Sequence, residues 1–256
     1  MTLCIGVVCV DKNTGLPAII FASDGQLTLG PIRAKTSKLI SYHGRFEEDP
    51  HTEPEYRIQF ALAGDAYVAE EAFFKIIDVL DKKIPVDVES PAVELLNIKE
   101  EIGDIVFEVY SKYFDRCEEK PWFELLIGSA DEIATLLHVN AEGKSHYSSD
   151  YAMIGRGVIT GGMMMLNEFH SEDMSIDHAI QLSVLILLNV GAIDTSVGQD
   201  IEICVCTNKS GYIFEDEELD SIVTEVKNKW NLIKDVFWEI DRNPNIEKYL
   251  KRTLKS

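Results

Sequence analysis

The chain begins with the stretch MTLCIGVVCV, residues 1–10, in which a hydroxyl residue directly precedes an apolar run typical of a buried strand. If Met1 is removed, Thr2 becomes the N-terminus and carries a free α-amino group beside its hydroxyl. An α-amino group has a pKa of about 7.7–8.0, so part of it is unprotonated near neutral pH and can act as a base. Threonine activated by its own amine is a known nucleophile, although many cytosolic proteins also begin Met-Thr without using it.

The composition is that of an ordinary globular protein, with 46% hydrophobic and 27% charged residues in 256. The net charge of -20 argues against nucleic acid and anionic membrane surfaces as partners, because both bind basic proteins. The five cysteines form no CxxC pair, which predicts buried free thiols in a reducing compartment and no metal site. Nucleotide-binding glycine loops are absent from the sequence, so no cofactor is expected. The start has no basic region typical of a signal peptide, which favours a cytoplasmic protein.

The order of predicted elements indicates an α+β fold. Apolar runs bounded by turn residues predict strands over residues 3–10, 18–22, 35–42, 56–63, 123–127, 134–140, 151–154, 200–207 and 212–214. Helical spacing of apolar residues predicts four helices. The first begins at residues 64–65, the second covers residues 91–113, the third covers residues 175–191, and the last begins near residue 216. Several consecutive strands followed by consecutive helices favour an α+β fold built from layers of sheets and helices. Two antiparallel sheets between two helix layers, a four-layer αββα sandwich, would use every element in one domain.

This prediction treats residues 1–256 as a single domain with two additions. Residues 43–55 are polar and acidic and contain Pro50 and Pro54, which predicts an exposed loop inserted between two strands. Residues 216–256 are predicted to form a C-terminal helix followed by a polar tail.

The element order and a series of short motifs together resemble the proteasome β-subunit family and its HslV-type relatives, which are N-terminal-nucleophile hydrolases. The likeness extends over roughly residues 2–215, and no single motif is specific by itself. The motifs are Thr2 before a strand, Ala22-Ser23-Asp24, Thr28-Leu29-Gly30, Lys38-Leu39-Ile40, Leu62-Ala63-Gly64, Gly155-Arg156-Gly157, residues 172–176 and residues 194–198. The resemblance implies the αββα sandwich of that family.

The resemblance also implies a reaction. The hydroxyl of Thr2 would attack a peptide carbonyl, and a nearby Lys38 ammonium would lower the proton affinity of that hydroxyl. Asp24 would pair with Lys38 and keep it charged. The backbone N–H of Gly64 would stabilise the oxyanion. Only Met1 precedes Thr2, as in HslV-like members exposed by methionine removal. Without the resemblance, the same residues fit a structural ion pair and a turn glycine.

Two further residues are implied at the site, Asp194 and Ser196, which would steady the Thr2 amine and a nearby water. This segment departs from the family pattern, because the aspartate and serine are two residues apart where the family spaces them three apart. A second departure is Arg156, which stands between two glycines where the family usually has a serine.

The main hypothesis is therefore a proteasome-like threonine peptidase acting on peptides or unfolded protein. The resemblance further implies a homo-oligomeric ring and a possible ATP-dependent unfoldase as partner. The departures at Arg156 and at residues 194–196 motivate an alternative, a non-catalytic scaffold subunit of the same fold. A third reading is an amidohydrolase or transpeptidase, since an amine can resolve the same acyl-enzyme in place of water.

Overall fold

The structure is a computed structural model that describes residues 2–29, 32–35, 37–43, 57–84, 88–198, 200–208 and 211–240. It comprises two compact units, residues 1–214 and residues 215–256. The strands within the described residues are β1 Leu3–Val10, β2 Pro17–Asp24, β3 Gln26–Leu29, β4 Ile32–Lys35, β5 Leu39–His43, β6 Arg57–Gly64, β7 Phe123–Ala130, β8 Ala134–Asn140, β9 Ser145–Ser148, β10 Tyr151–Gly155, β11 Ile201–Cys206 and β12 Gly211–Ile213.

Helices connect and cover these strands. They are α1 Ala66–Lys83, α2 Pro91–Asn97, α3 Lys99–Phe114, α4 Gly162–Phe169, α5 Ile176–Ile193 and α6 Asp216–Ile240, with a single 3-10 turn at Arg156–Val158. Side-chain caps explain three of the starts, because Asp65, Ser90 and Ser175 each accept a hydrogen bond from the backbone N–H three residues ahead.

The first unit is a sandwich of two antiparallel sheets between helix layers. Its described strands form one sheet in the order β10-β1-β2-β11-β12, a second in the order β5-β6-β7-β8-β9, and a separate β3-β4 hairpin. Helix α5, with α4 beside it, packs on β1 and β2, whereas α1, α2 and α3 pack on the second sheet. The predicted four-layer αββα fold is confirmed.

Apolar side chains fill the space between the sheets. Phe21 and Ile19 of β2 face Leu126 of β7 and Leu136 of β8, with Cys4 of β1 in the same cluster. All five side chains are fully buried. Strand β1 pairs with β10 on one side and with β2 on the other. Leu3 lies opposite Gly155 of β10, and Cys4 lies opposite Ser23 of β2. The start of the chain is therefore held in the middle of a sheet.

The structure differs from the sequence prediction in several elements. The helix predicted over residues 91–113 is two helices, since the backbone leaves helical geometry at Ile98. Strands β3, β4 and β9 and helix α4 were not predicted, because each has only four to eight residues and little periodicity. Helix α5 extends two residues past its predicted end at Gly191. Of the loop predicted over residues 43–55, His43 is the last residue of β5, and residues 44–55 lie outside the described residues.

Helix α5 is apolar and long enough to cross a bilayer, which by itself is weak evidence for a membrane protein. Eight of its residues are buried, and it lies on two strands of the first sheet, as expected of a core helix.

The second unit contains α6, whose first turn carries Asp216, Glu217 and Glu218. Negative charge there suits the positive end of the helix dipole. Helix α6 covers residues 216–240 of the predicted C-terminal helix, and the polar tail predicted beyond it lies outside the described residues. A single domain over the whole chain stays a prediction.

Candidate active site

The side chain of Thr2 lies in a buried contact with two charged residues. Its Oγ1 donates a hydrogen bond to Asp24 Oδ1 and accepts one from Lys38 Nζ. Lys38 Nζ lies 2.9 Å from the same carboxylate oxygen. Thr2 is 3% exposed, Asp24 0% and Lys38 8%. The structure thus brings together three of the predicted site residues, from the residue before β1, the end of β2 and the residue before β5.

The carboxylate of Asp24 accepts two further hydrogen bonds from backbone groups. The Leu3 N–H donates to Oδ1 at 2.7 Å, and the Gly198 N–H donates to Oδ2 at 2.9 Å. A buried charge is costly unless it is paired and its remaining lone pairs are satisfied. Asp24 meets both conditions, and its Oδ1 holds Lys38 Nζ beside the threonine hydroxyl. Gly198 was not among the predicted site residues, and only its backbone takes part.

Lys38 lies one residue before β5, whereas the sequence prediction placed it inside a strand. Its carbonyl accepts a hydrogen bond from the Leu62 N–H at 3.0 Å, which attaches it to β6. Its own N–H donates to Glu202 Oε2 at 3.1 Å, and Ser23 Oγ donates to the same oxygen at 3.3 Å. Glu202, on β11, therefore positions the backbone from which the lysine side chain reaches Thr2.

Cys4 is a second neighbour that the sequence prediction did not assign to the site. Its thiol donates to the Leu62 carbonyl at 3.4 Å. Burial raises the pKa of Cys4 to about 12, although the positive charge of Lys38 opposes this shift. The thiol is therefore neutral at physiological pH, and the threonine hydroxyl is the nucleophilic group left in the cluster.

Gly64 ends β6 opposite Phe123 and has a φ of +99°. A Cβ on this residue would lie 2.2 Å from the carbonyl oxygen of Trp122, so only glycine fits. Gly64 lies two residues beyond Leu62, whose backbone carbonyl and N–H form hydrogen bonds with Cys4 and Lys38, respectively. The oxyanion role of its N–H stays a prediction.

Asp194 and Ser196 form a separate pair at the end of α5. Asp194 Oδ1 accepts from Ser196 Oγ at 2.5 Å and from the Ser196 N–H at 2.9 Å, while Thr160 Oγ1 donates to Oδ2 at 3.1 Å. The hydrogen bond from the Ser196 hydroxyl lowers the pKa of Asp194, and it outweighs burial, which raises that pKa. The positive charge of Arg156 lowers it further, to a smaller degree. Among the described residues this segment contacts the Thr2 cluster through the Gly198 N–H, and the role of the pair at the amine stays a prediction.

The turn from Gly155 to Gly157 packs directly on the backbone of Thr2. Gly155 has φ +99° and ψ 173°, a region open essentially to glycine alone. A Cβ there would lie 2.2 Å from the Thr2 carbonyl oxygen, and the Gly157 N–H donates to that oxygen at 3.4 Å. Arg156, between the two glycines, lies near enough to Asp194 to lower its pKa.

A carboxylate and an imidazole support this turn from the second sheet. Glu124 Oε2 accepts from the Gly155 N–H at 3.0 Å, and Oε1 lies 3.2 Å from His138 Nε2. Burial raises the pKa of Glu124, but the bonds from His138 and Gly155 outweigh it and leave the pKa below its usual value. No motif in the sequence singled out these residues, because their relation to Thr2 arises only when the two sheets stack.

No group of three or more His, Cys, Asp or Glu side chains with metal-ligand geometry lies among the described residues.

Comparison with solved structures gives the fold. Anbu, an ancestral β-subunit, from Yersinia bercovieri superimposes with a TM-score of 0.71 and 17% identity, over 93% of this chain and 97% of that one. The chain has the Anbu fold. Anbu from Hyphomicrobium sp. strain MC1 gives 0.65 with 16% identity, over 91% of this chain and 97% of that one. The helical assembly of the Anbu complex from Pseudomonas aeruginosa gives 0.66 with 16% identity, over 91% and 96%.

Comparison of sequences gives a more limited likeness. A proteasome β subunit from Methanocaldococcus fervens is 30% identical over 109 residues, which is 41% of this chain and 48% of that protein. The chain thus matches about half the length of this curated relative. No family model matches the chain. The Anbu fold and this partial match agree with the proteasome-like resemblance of the motifs.

Proposed function

We propose that the chain is a proteasome-like hydrolase of amide bonds, with Thr2 as an N-terminal nucleophile exposed by removal of Met1. One observation carries the proposal: the Thr2 hydroxyl is buried between the ammonium of Lys38 and the carboxylate of Asp24. A buried lysine-aspartate pair beside a threonine hydroxyl is costly to build, because both charges are removed from water, and a catalytic role would account for that cost. The Anbu fold and the partial likeness to a proteasome β subunit support the same reading.

The proposed reaction begins with attack of Thr2 Oγ1 on the carbonyl carbon of an amide. The hydroxyl proton passes to the free amine of Thr2, whose pKa of about 7.7–8.0 leaves it partly unprotonated at neutral pH. Lys38 stabilises the developing alkoxide, and the Gly64 N–H receives the oxyanion. The amine then returns the proton to the leaving nitrogen as the C–N bond breaks, and an ester on Thr2 remains. Water, activated by the same amine, hydrolyses that ester and restores the enzyme.

Peptides or unfolded proteins are the proposed substrates, and assembly into a homo-oligomer is part of the proposal. It is supported by the helical assembly described for Anbu of Pseudomonas aeruginosa. An ATP-dependent unfoldase partner and a cytoplasmic location are proposed from the family resemblance and from the sequence composition.

The test combines mass measurement with active-site labelling. The intact mass of the purified protein should show the loss of Met1. A peptide epoxyketone or a β-lactone should then add once, at Thr2, and a Thr2→Ala variant should take up none. Retention of Met1, or a folded wild-type protein that takes up no label, would refute the mechanism.

The non-catalytic scaffold is the second candidate, since Arg156 replaces the serine of the family pattern. The labelling experiment separates the two, because a Thr2 adduct is incompatible with an inert site. If the adduct forms, supplying an amine together with an amide substrate distinguishes hydrolysis from transpeptidation by the mass of the product.

A further inference from the structure

A cavity of about 700 Å³ opens between β10, an edge strand of the first sheet, and three strands of the second sheet. Strand β10 and helix α4 form one side, and strands β7, β8 and β9 form the other. This volume is within the range of about 300–1,000 Å³ that is usual for ligand sites. None of the roles predicted from the sequence uses this space.

The cavity adjoins Thr2 through two residues of its lining. Gly155 lines the cavity, and its backbone lies against the Thr2 carbonyl. Trp122 also lines it, and a Cβ on Gly64 would lie 2.8 Å from the indole Cε3 of Trp122. Gly155 therefore both contacts Thr2 and lines the cavity, while Gly64 lies against the cavity-lining Trp122. A substrate with its carbonyl at Thr2 could extend into this space.

The walls of the cavity are mainly apolar. Trp122, Met153, Val158, Ile159 and Met163 line it. Tryptophan offers a large flat contact surface to aromatic groups. Methionine side chains adapt to irregular apolar shapes and make favourable contacts with rings. These walls suit a bulky apolar group better than a small or a charged one.

The charged groups in the lining already have partners. Glu124 accepts hydrogen bonds from the Gly155 N–H and interacts with His138, so its carboxylate does not stand unpaired in the cavity. The positive charge of Arg156 acts on Asp194. A cationic ligand would have to compete with His138 for Glu124, and an anionic one with Asp194 for Arg156. Neither charge therefore favours a charged ligand.

From these contacts we infer that the cavity is a substrate subsite for a bulky, uncharged apolar side chain, preferably aromatic, next to the amide bond cleaved at Thr2. The inference rests on the proposed function for its link to Thr2, whereas binding in the cavity can be measured without any reaction.

The binding test uses two matched variants on α4. Met163 lines the cavity, and Met163→Trp should fill part of it; Met164 is 72% exposed and outside the lining, so Met164→Trp is the control. Binding of N-acetyl-tryptophan amide, N-acetyl-alanine amide and N-acetyl-arginine amide to the full chain is followed by NMR. The aromatic amide should bind more tightly than the other two. Met163→Trp should weaken it about tenfold, or about 1.4 kcal/mol, and Met164→Trp by less than about twofold.

Several results would overturn the subsite. One is equal affinity for the three amides, and another is the highest affinity for the arginine amide. A third is an equal loss of affinity for the aromatic amide in Met163→Trp and Met164→Trp, with both variants folded as judged by circular dichroism. A second measurement separates this inference from the proposed function, namely the rates at which a small β-lactone and an aromatic peptide epoxyketone label Thr2.

If the small β-lactone labels Thr2, the aromatic epoxyketone labels it no faster, and Met163→Trp changes neither rate, the subsite is refuted and the proposed hydrolase is still supported. If neither probe labels Thr2 but the aromatic amide binds and Met163→Trp removes that binding, the cavity's ligand class is supported and the hydrolase is refuted.

Discussion

Replacement of Gly155 by alanine should destabilise the protein and disturb Thr2 together. The backbone at Gly155 is in a region where other residues cost about 1–3 kcal/mol. The new Cβ would also lie 2.2 Å from the Thr2 carbonyl oxygen, and relief of such overpacking costs about 1–3 kcal/mol more. We therefore expect a loss of about 4 kcal/mol in the free energy of unfolding, which corresponds to a fall in Tm of about 8–16 °C.

Gly161→Ala is the matched control for this experiment. Gly161 also has a positive φ, +112°, but a Cβ on it would meet nothing within 4 Å. Gly161→Ala should therefore lower the free energy of unfolding only by the conformational cost of an alanine at positive φ, about 1–2 kcal/mol. Urea unfolding followed by circular dichroism measures both variants, and β-lactone labelling of the folded protein reports the position of Thr2. Equal destabilisation of the two variants, within about 0.5 kcal/mol, would refute the claim that Gly155 is required by its contact with Thr2.

Three further predictions follow from contacts at and around the site. Lys38→Met should slow β-lactone labelling of Thr2 by about 100-fold or more, measured on the folded protein, and an unchanged rate would remove Lys38 from the mechanism. The pKa of Glu124 is lowered in the folded state, so its contribution to stability is present above the usual glutamate range and is lost as the pH falls. Glu124→Gln should accordingly lose less stability than wild type between about pH 5 and pH 3 in urea titrations, and identical losses would contradict the assignment. Iodoacetamide should modify the native chain at Cys117, which is exposed, and leave the other four thiols, which are buried, until guanidinium is added; rapid modification of all five would contradict the core packing.

The fold could be predicted from the sequence because its long elements carry strong patterns. The runs that form β1, β2 and β11 are mainly apolar, and α1 and α5 begin at polar caps. Short elements such as β9 and α4 could not be predicted, because four to eight residues contain too few periods to distinguish a strand or helix from a loop. The break at Ile98 was missed for a different reason, since the apolar spacing continues across it.

The candidate site divides in the same way. Thr2, Asp24 and Lys38 could be found through the family resemblance, and the structure places them in contact. Gly198 contributes a backbone N–H, and no side-chain pattern reports the direction of a backbone group. Glu124 comes from the opposite sheet, so its contact with the Gly155 turn depends on how two sheets stack. Pairings of that kind are set by tertiary packing and leave no local signal.

The hydrogen bonds to the Asp24 carboxylate join parts of the chain that lie far apart in the sequence. Its partners come from residue 3, from residue 38 and from residue 198, so the last of them is synthesised 174 residues after Asp24 itself. Contacts of such long sequence separation close large loops and slow folding. The bond from the Gly198 N–H can form only after residue 198 has been synthesised, so in a shorter nascent chain the Asp24 carboxylate would lack that partner.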